Sequence, residues 1–129
     1  MKDDFEYVIY EKLIQRKKLT IVFLYRSDRY PISQFKADLN EIVKQVNAEK
    51  NVLILGDVNT EQILIKSPEY IQQIQCQTTS GMNGKIIDHA YTRLTDFVAY
   101  GHVLYKSFAR SHHHPICINL LLKDEPVNC

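Results

Sequence analysis

The pattern of hydrophobic and polar positions predicts an α/β domain that begins with a β-hairpin. Residues Phe5 to Leu13 and Leu19 to Tyr25 are rich in β-branched and aromatic side chains. The polar segment 15–18 between them is typical of a hairpin turn. Both faces of the second strand are apolar, which favours a strand covered on both sides.

A helix and further strands are predicted after this hairpin. Beyond Pro31, apolar residues recur at positions 32, 35, 39, 43 and 46, which predicts an amphipathic helix ending near Asn47. Ser33 is able to cap it. Ser67-Pro68 predicts a second, short helix that ends near Gln75. Strands are predicted at 51–55, 85–92, 97–104 and 115–122, with a turn at 81–84. This order predicts a mixed β-sheet with helices flanking at least one face.

Size and charge restrict the function classes. The chain has 129 residues and a mass of 15.1 kDa, which indicates one domain. Its 16 Lys and Arg residues are balanced by 15 Asp and Glu residues. A protein that binds DNA by charge alone carries a clear basic excess, so a nucleic-acid function would depend on a local site.

Apolar runs and cysteines predict the compartment. No apolar run is long enough to cross a bilayer, and no signal-peptide pattern follows Met1. The three cysteines form no CxxC pair, which favours a reducing environment. We therefore expect an intracellular protein, nuclear or cytoplasmic, that is neither secreted nor inserted in a membrane.

The first cluster of candidate functional residues is Gly56-Asp57-Val58-Asn59, at the end of a predicted strand. Residues i and i+2 of an extended segment point to the same side, so Asp57 and Asn59 are expected to converge. A carboxylate can take a proton from water, and an amide can hold that water or an oxyanion. The alternative is a turn in which both side chains bond to their own backbone.

Two further clusters contain histidine. Asp88 lies in an apolar strand, where a carboxylate needs a hydrogen-bond partner, and an imidazole would serve. His89 points to the opposite face and is expected to be structural. In 111–115, His112 and His114 would face one way and His113 the other, so the three adjacent histidines do not predict a closed zinc site.

As a set, these clusters resemble the endonuclease/exonuclease/phosphatase superfamily, whose fold is DNase I-like, and most of all the endonuclease domains of mobile elements. The resemblance runs from about Lys18 to Leu122 and is carried by Tyr25-Arg26, Gly-Asp-x-Asn at 56–59, Thr78 or Thr79, Ile-Asp-His-x-Tyr-Thr at 87–92 and Ser-x-His-x-Pro at 111–115. It implies that 1–129 is one partial domain, the C-terminal half of a four-layer α/β sandwich.

The resemblance also implies a function, cleavage of DNA by water attack on a phosphodiester with Mg²⁺ or Mn²⁺ as cofactor. Asp57 would orient or deprotonate the water, and Asn59 would hold the water and a phosphate oxygen. His113 would bind the scissile phosphate, with Asp88 holding its ring. His112 stands at the family's acidic metal-ligand position. The residues implied to contact phosphate are Tyr25, Asn59, Thr78, Thr79 and Ser111.

Two departures from the family pattern leave alternatives open. The N-terminal half of the family domain, with its metal-binding Glu, has no counterpart here, and His112 replaces an Asp. Imidazole suits Mn²⁺ or Zn²⁺ better than Mg²⁺. The alternatives are a non-catalytic remnant or a module that binds phosphate or nucleic acid, an enzyme acting on another phosphodiester, and an unrelated α/β domain. Loss of the partner sheet would expose apolar surface, which predicts self-association or a completing polypeptide.

Overall fold

A computed structural model describes residues 5–79, 84–104 and 113–123 of the chain. This part contains one helix and seven strands. In chain order they are β1 (Phe5–Ile14), β2 (Lys17–Arg26), α1 (Ile32–Val46), β3 (Val52–Asp57), β4 (Ile71–Gln72), β5 (Asp88–Arg93), β6 (Phe97–Val103) and β7 (Ile116–Leu122).

The strands form a five-stranded sheet and a separate hairpin. The order in the large sheet is β1-β2-β3-β5-β4, and β6 pairs with β7. Strands β2 and β3 are parallel, whereas the other pairs are antiparallel. The prediction of an α/β fold with a mixed sheet is therefore confirmed.

The predicted first hairpin is confirmed, with longer strands than expected. Only Gln15 and Arg16 form the turn, with φ values of +47° and +71°. Positive φ at both central residues is the geometry of a two-residue hairpin turn whose twist matches that of the strands. The register of β1 against β2 continues without a bulge from Ile14↔Lys17 to Phe5↔Arg26.

Helix α1 has the predicted extent, but the residue at its N-cap position differs from the expected one. Pro31 occupies the N-cap position, and no side chain caps the helix. The expectation that Ser33 caps it is wrong, because Ser33 lies inside the first turn. The fixed φ of Pro31 and the burial of Phe35 and Leu39 on the helix's apolar face determine where the helix begins.

The second predicted helix, near 67–75, is wrong. Residues 68–69 form a turn, and β4 follows at the edge of the sheet. The Gln72 side-chain oxygen accepts from the backbone N–H groups of Ile74 and Ala90, and the Gln73 N–H donates to the Ala90 carbonyl at 2.7 Å. Pairing with β5 thus satisfies backbone groups that a helix would have satisfied internally. In the described residues, α1 is the one flanking helix.

Two apolar clusters cover the two faces of the sheet. Helix α1 packs on one face, where Phe35 meets Val22 and Ile54. Residues of β6 and β7 pack on the other face against a cluster that includes Leu19 and Leu53. No helix in the described part of the chain is long and apolar enough to span a membrane.

The second face is covered only in part. Phe23 and Tyr25 of β2 are 45% and 41% exposed, and Val8 and Tyr10 lie beside this strand on the same face with 55% and 51% exposure. The expectation that both faces of β2 are covered is therefore wrong at its C-terminal end. This end of the sheet carries the candidate site.

Candidate functional site

The side chains of Asp57, Asp88 and His113 meet at one end of the large sheet. Asp57 ends β3, Asp88 begins β5, and the two residues are direct partners in the antiparallel register. The Nδ1–H of His113 donates to Asp88 Oδ2 at 2.9 Å, and its Nε2 lies 3.7 Å from Asp57 Oδ2. His113 therefore stands between the two carboxylates, and it supplies the hydrogen-bond partner that the sequence predicted for Asp88.

His113 reaches this position through the segment that precedes β5. It forms an isolated antiparallel bridge with Thr79, and the N–H of the following His114 donates to the Thr78 carbonyl at 2.7 Å. Asp88 is attached to the same segment because its backbone N–H donates to the Thr78 hydroxyl. Thr78 thus links the backbones that carry the carboxylate and the imidazole.

Thr78 is a positioning residue in this structure. Its side chain is fully buried, and its hydroxyl donates to the Lys85 carbonyl and accepts from the N–H groups of Ile87 and Asp88. The family resemblance implies that Thr78 contacts phosphate, but its hydroxyl is already hydrogen-bonded to backbone groups. The Thr79 hydroxyl accepts from the Lys85 N–H at 2.6 Å, and Thr79 is only partly buried.

Asn59 lies next to the cluster in an orientation that the extended pattern did not predict. Strand β3 ends at Asp57, and Asn59 has a left-handed φ of +52°. Its side-chain NH₂ donates to the Arg26 carbonyl, while its backbone N–H donates to Asp57 Oδ1 at 3.2 Å. The bond to Asp57 is that of the alternative interpretation, a turn whose side chain bonds to its own backbone, whereas the bond to Arg26 joins this turn to the end of β2.

Arg26 is one of the residues that carry the family resemblance, but the sequence reasoning gave it no role. It is 6% exposed, and its Nη1 donates to the carbonyls of Val58 and Asn59 at 2.9 and 3.2 Å. Its Nε donates to the Tyr30 carbonyl. The guanidinium therefore fixes the segment that leaves Asp57. A charged residue at the end of an otherwise apolar strand was the available signal, because such a residue needs several partners.

The remaining predicted residues differ in where they lie relative to the cluster. Tyr25 is in register with Asp57 across β2 and β3, so it lies on the face of the cluster. His89 is buried on the opposite face, where its Nε2–H donates to the Ile86 carbonyl and its Nδ1 accepts from the Tyr91 hydroxyl. This confirms its expected structural role. Ser111 and His112 lie outside the described residues.

The pKa values of both Asp57 and His113 are raised in this cluster. Burial raises the pKa of Asp57 above its ordinary value, and the neighbouring Asp88 charge raises it further; His113 and the Asn59 N–H act in the opposite direction. Partial burial alone would lower the pKa of His113. The hydrogen bond to Asp88 and the charges of both carboxylates outweigh it, so that the pKa is raised.

Asp88→Asn is expected to lower the pKa of His113. The variant removes a negative charge and weakens the hydrogen bond to Nδ1–H, while the burial that disfavours imidazolium remains. Titration of the histidine ring protons by NMR in wild type and variant measures the shift. An unchanged His113 pKa would contradict the hydrogen-bonded pair.

The cluster can hold a metal ion. One ligand atom from each of Asp57, Asp88 and His113 lies within 4.8 Å of the other two, and all three residues are partly buried. Two carboxylate oxygens and one imidazole nitrogen fit a divalent ion that accepts both donor types, such as Mn²⁺ or Zn²⁺, more closely than the all-oxygen preference of Mg²⁺.

Comparison with known proteins gives no relative for this chain. No protein-family model matches it, and no curated protein matches it. The functional assignment therefore depends on the chemistry and geometry of the cluster.

Proposed function

We propose that this chain carries the catalytic cluster of a divalent-metal-assisted phosphodiesterase related to the endonuclease/exonuclease/phosphatase superfamily. The observation that carries the proposal is the position of His113, hydrogen-bonded to Asp88 and facing Asp57 at 3.7 Å. Such a cluster combines a carboxylate base with a cationic donor, which are the two groups that water attack on a phosphodiester requires.

Asp57 is the proposed base. Its raised pKa makes the ionised carboxylate a better proton acceptor than an ordinary Asp. The Asn59 N–H and the Arg26-held turn fix its orientation. Asp57 would take the proton of the attacking water.

His113 is the proposed phosphate-binding group. Its raised pKa favours the imidazolium form, which would stabilise the negative charge that develops on the phosphate oxygens. Asp88 holds the ring through Nδ1–H and so turns Nε2 toward Asp57. Tyr25, partly exposed on the same face, would contact the substrate beside them.

A divalent ion, when bound by Asp57 and Asp88, would supply charge neutralisation for the phosphate. We propose Mn²⁺ or Mg²⁺ as this ion. DNA is the proposed substrate, and the nucleus or the cytoplasm is the proposed location.

The proposed fold relationship is to one half of a four-layer sandwich. The mixed sheet with α1 on one face supports it, and the exposed Phe23 and Tyr25 mark where a second sheet would pack. A second candidate function is phosphate or nucleic-acid binding without hydrolysis. It is favoured by Asn59, whose side-chain NH₂ donates to the Arg26 carbonyl, so that this amide is turned to the backbone rather than to an attacking water.

The test is nicking of supercoiled plasmid by the purified chain with Mg²⁺, with Mn²⁺ and with EDTA. We expect metal-dependent nicking that is strongest with Mn²⁺ and absent with EDTA. Asp57→Asn, purified in parallel, should be inactive, while the matched variant Asp28→Asn removes an exposed turn carboxylate and should retain activity. Equal nicking by all three proteins would reveal a contaminating nuclease and contradict the assignment. Plasmid binding without nicking would favour the binding module.

A further inference from the structure

Strand β1 forms an exposed edge of the large sheet. It pairs with β2 on one side, and among residues 5–79, 84–104 and 113–123 no element pairs with its other side. Its eight inner residues are all exposed, and they include the apolar Tyr7, Val8, Ile9 and Tyr10. The strand contains no proline and no bulge, two of the devices by which proteins protect an edge from pairing.

The backbone groups on this edge can be assigned from the turn. A two-residue hairpin is closed by a hydrogen-bonded pair, which here is Ile14↔Lys17. Because hydrogen-bonded and non-hydrogen-bonded pairs alternate, the even-numbered residues of β1 bond to β2. The N–H and C=O groups of the odd-numbered residues, among them Tyr7, Ile9 and Glu11, therefore point outward.

From this edge we infer that two copies of the chain associate through β1, antiparallel about a two-fold axis at Ile9, to form one continuous sheet. A two-fold axis perpendicular to the sheet pairs even-numbered with even-numbered residues and odd with odd. Centred on Ile9, it aligns the outward groups of Tyr7 with those of Glu11 in the other copy. The inference does not depend on the proposed function.

Charge selects this register and selects a second copy as the occupant. With Ile9 at the axis, Glu6 of each copy faces Lys12 of the other, and Val8 faces Tyr10. These are non-hydrogen-bonded pairs, in which opposite side chains are closest. A shift of one step in either direction puts Glu6 opposite Tyr10 or Ile14 and loses both ion pairs. Within the described residues, neither Glu6 nor Lys12 has an ion-pair partner in its own chain.

The test is sedimentation equilibrium of the full chain from low to high micromolar concentration. We expect a reversible monomer–dimer equilibrium. Glu6→Lys and Lys12→Glu each turn two attractive pairs into two repulsive ones and should weaken dimerisation by about tenfold or more. The double variant restores opposite charges and should restore the dimer. This rescue separates cross-copy pairing from a merely structural effect of either residue.

Ile9→Pro provides the second test because it removes an outward N–H and leaves the hydrogen bonds to β2 in place. Proline is tolerated at such an edge position, so we expect a folded monomer with a wild-type circular dichroism spectrum. Wild type that stays monomeric throughout would overturn the inference. So would a dimer that survives Ile9→Pro but is lost in Phe23→Ser, since that result would assign the interface to the exposed sheet face.

Discussion

Gly56→Ala is expected to lower the free energy of unfolding by about 3 kcal/mol or more, among the largest effects of a single methyl group. Gly56 has a φ of +155°, which L side chains rarely adopt. A Cβ at this position would lie 1.8 Å from the Leu24 carbonyl oxygen in the neighbouring strand. The backbone of β2 or β3 would have to move, and Asp57 is the next residue.

Urea unfolding followed by circular dichroism measures this change. Lys66→Ala is the control because it places the same residue at an exposed site of the chain, where effects stay within about 0.5 kcal/mol. A Gly56→Ala protein as stable as wild type would contradict the close approach of β2 and β3 at Gly56. The position of Asp57 would then lose its main structural support.

His113→Gln is expected to lower kcat/KM for phosphodiester hydrolysis by roughly 10²–10³-fold, the range for loss of one donor that stabilises the charge developing in the transition state. Glutamine keeps a hydrogen-bond donor of similar reach but cannot carry the positive charge that Asp88 and Asp57 stabilise on the imidazole. For the same reason, the wild-type rate should fall as the pH rises through the raised pKa of His113, because the imidazolium is then lost.

Hydrolysis of bis(4-nitrophenyl) phosphate with Mn²⁺ provides the rate. His102→Gln is the matched control, since it makes the same exchange at an exposed residue of β6 and should leave the rate unchanged. Equal rates for His113→Gln and wild type, with both proteins folded, would remove His113 from the chemistry.

The sequence predicted the elements whose patterns are local. The first hairpin was visible in two apolar segments around a polar turn, and α1 in its helical spacing. A hydrogen-bond partner for Asp88 was also predicted, because a carboxylate in an apolar strand is costly to bury unpaired. These inferences required only periodicity and the cost of burying charge. The family resemblance, and not the pattern, named His113 as the partner that the structure shows.

The failures came from tertiary contacts. Gln72 and Gln73 bond to β5, and this long-range pairing replaced the helix suggested by Ser67-Pro68. Asn59 leaves the extended conformation because Arg26 binds its turn, so the alternation of a strand no longer applies. Thr78 was assigned to phosphate, whereas its burial and its bonds to backbone groups of Lys85, Ile87 and Asp88 depend on a fold that spacing alone does not reveal.

The most direct test of the central claim, that Asp57, Asp88 and His113 act together on one ion and its ligand, is calorimetric titration of the chain with Mn²⁺. We predict one ion bound per chain, with affinity at least tenfold weaker in Asp57→Asn, about the loss seen when a single metal-site interaction is removed. Asp28→Asn should bind as wild type does. Absence of binding to wild type, or equal affinity in Asp57→Asn, would contradict the account.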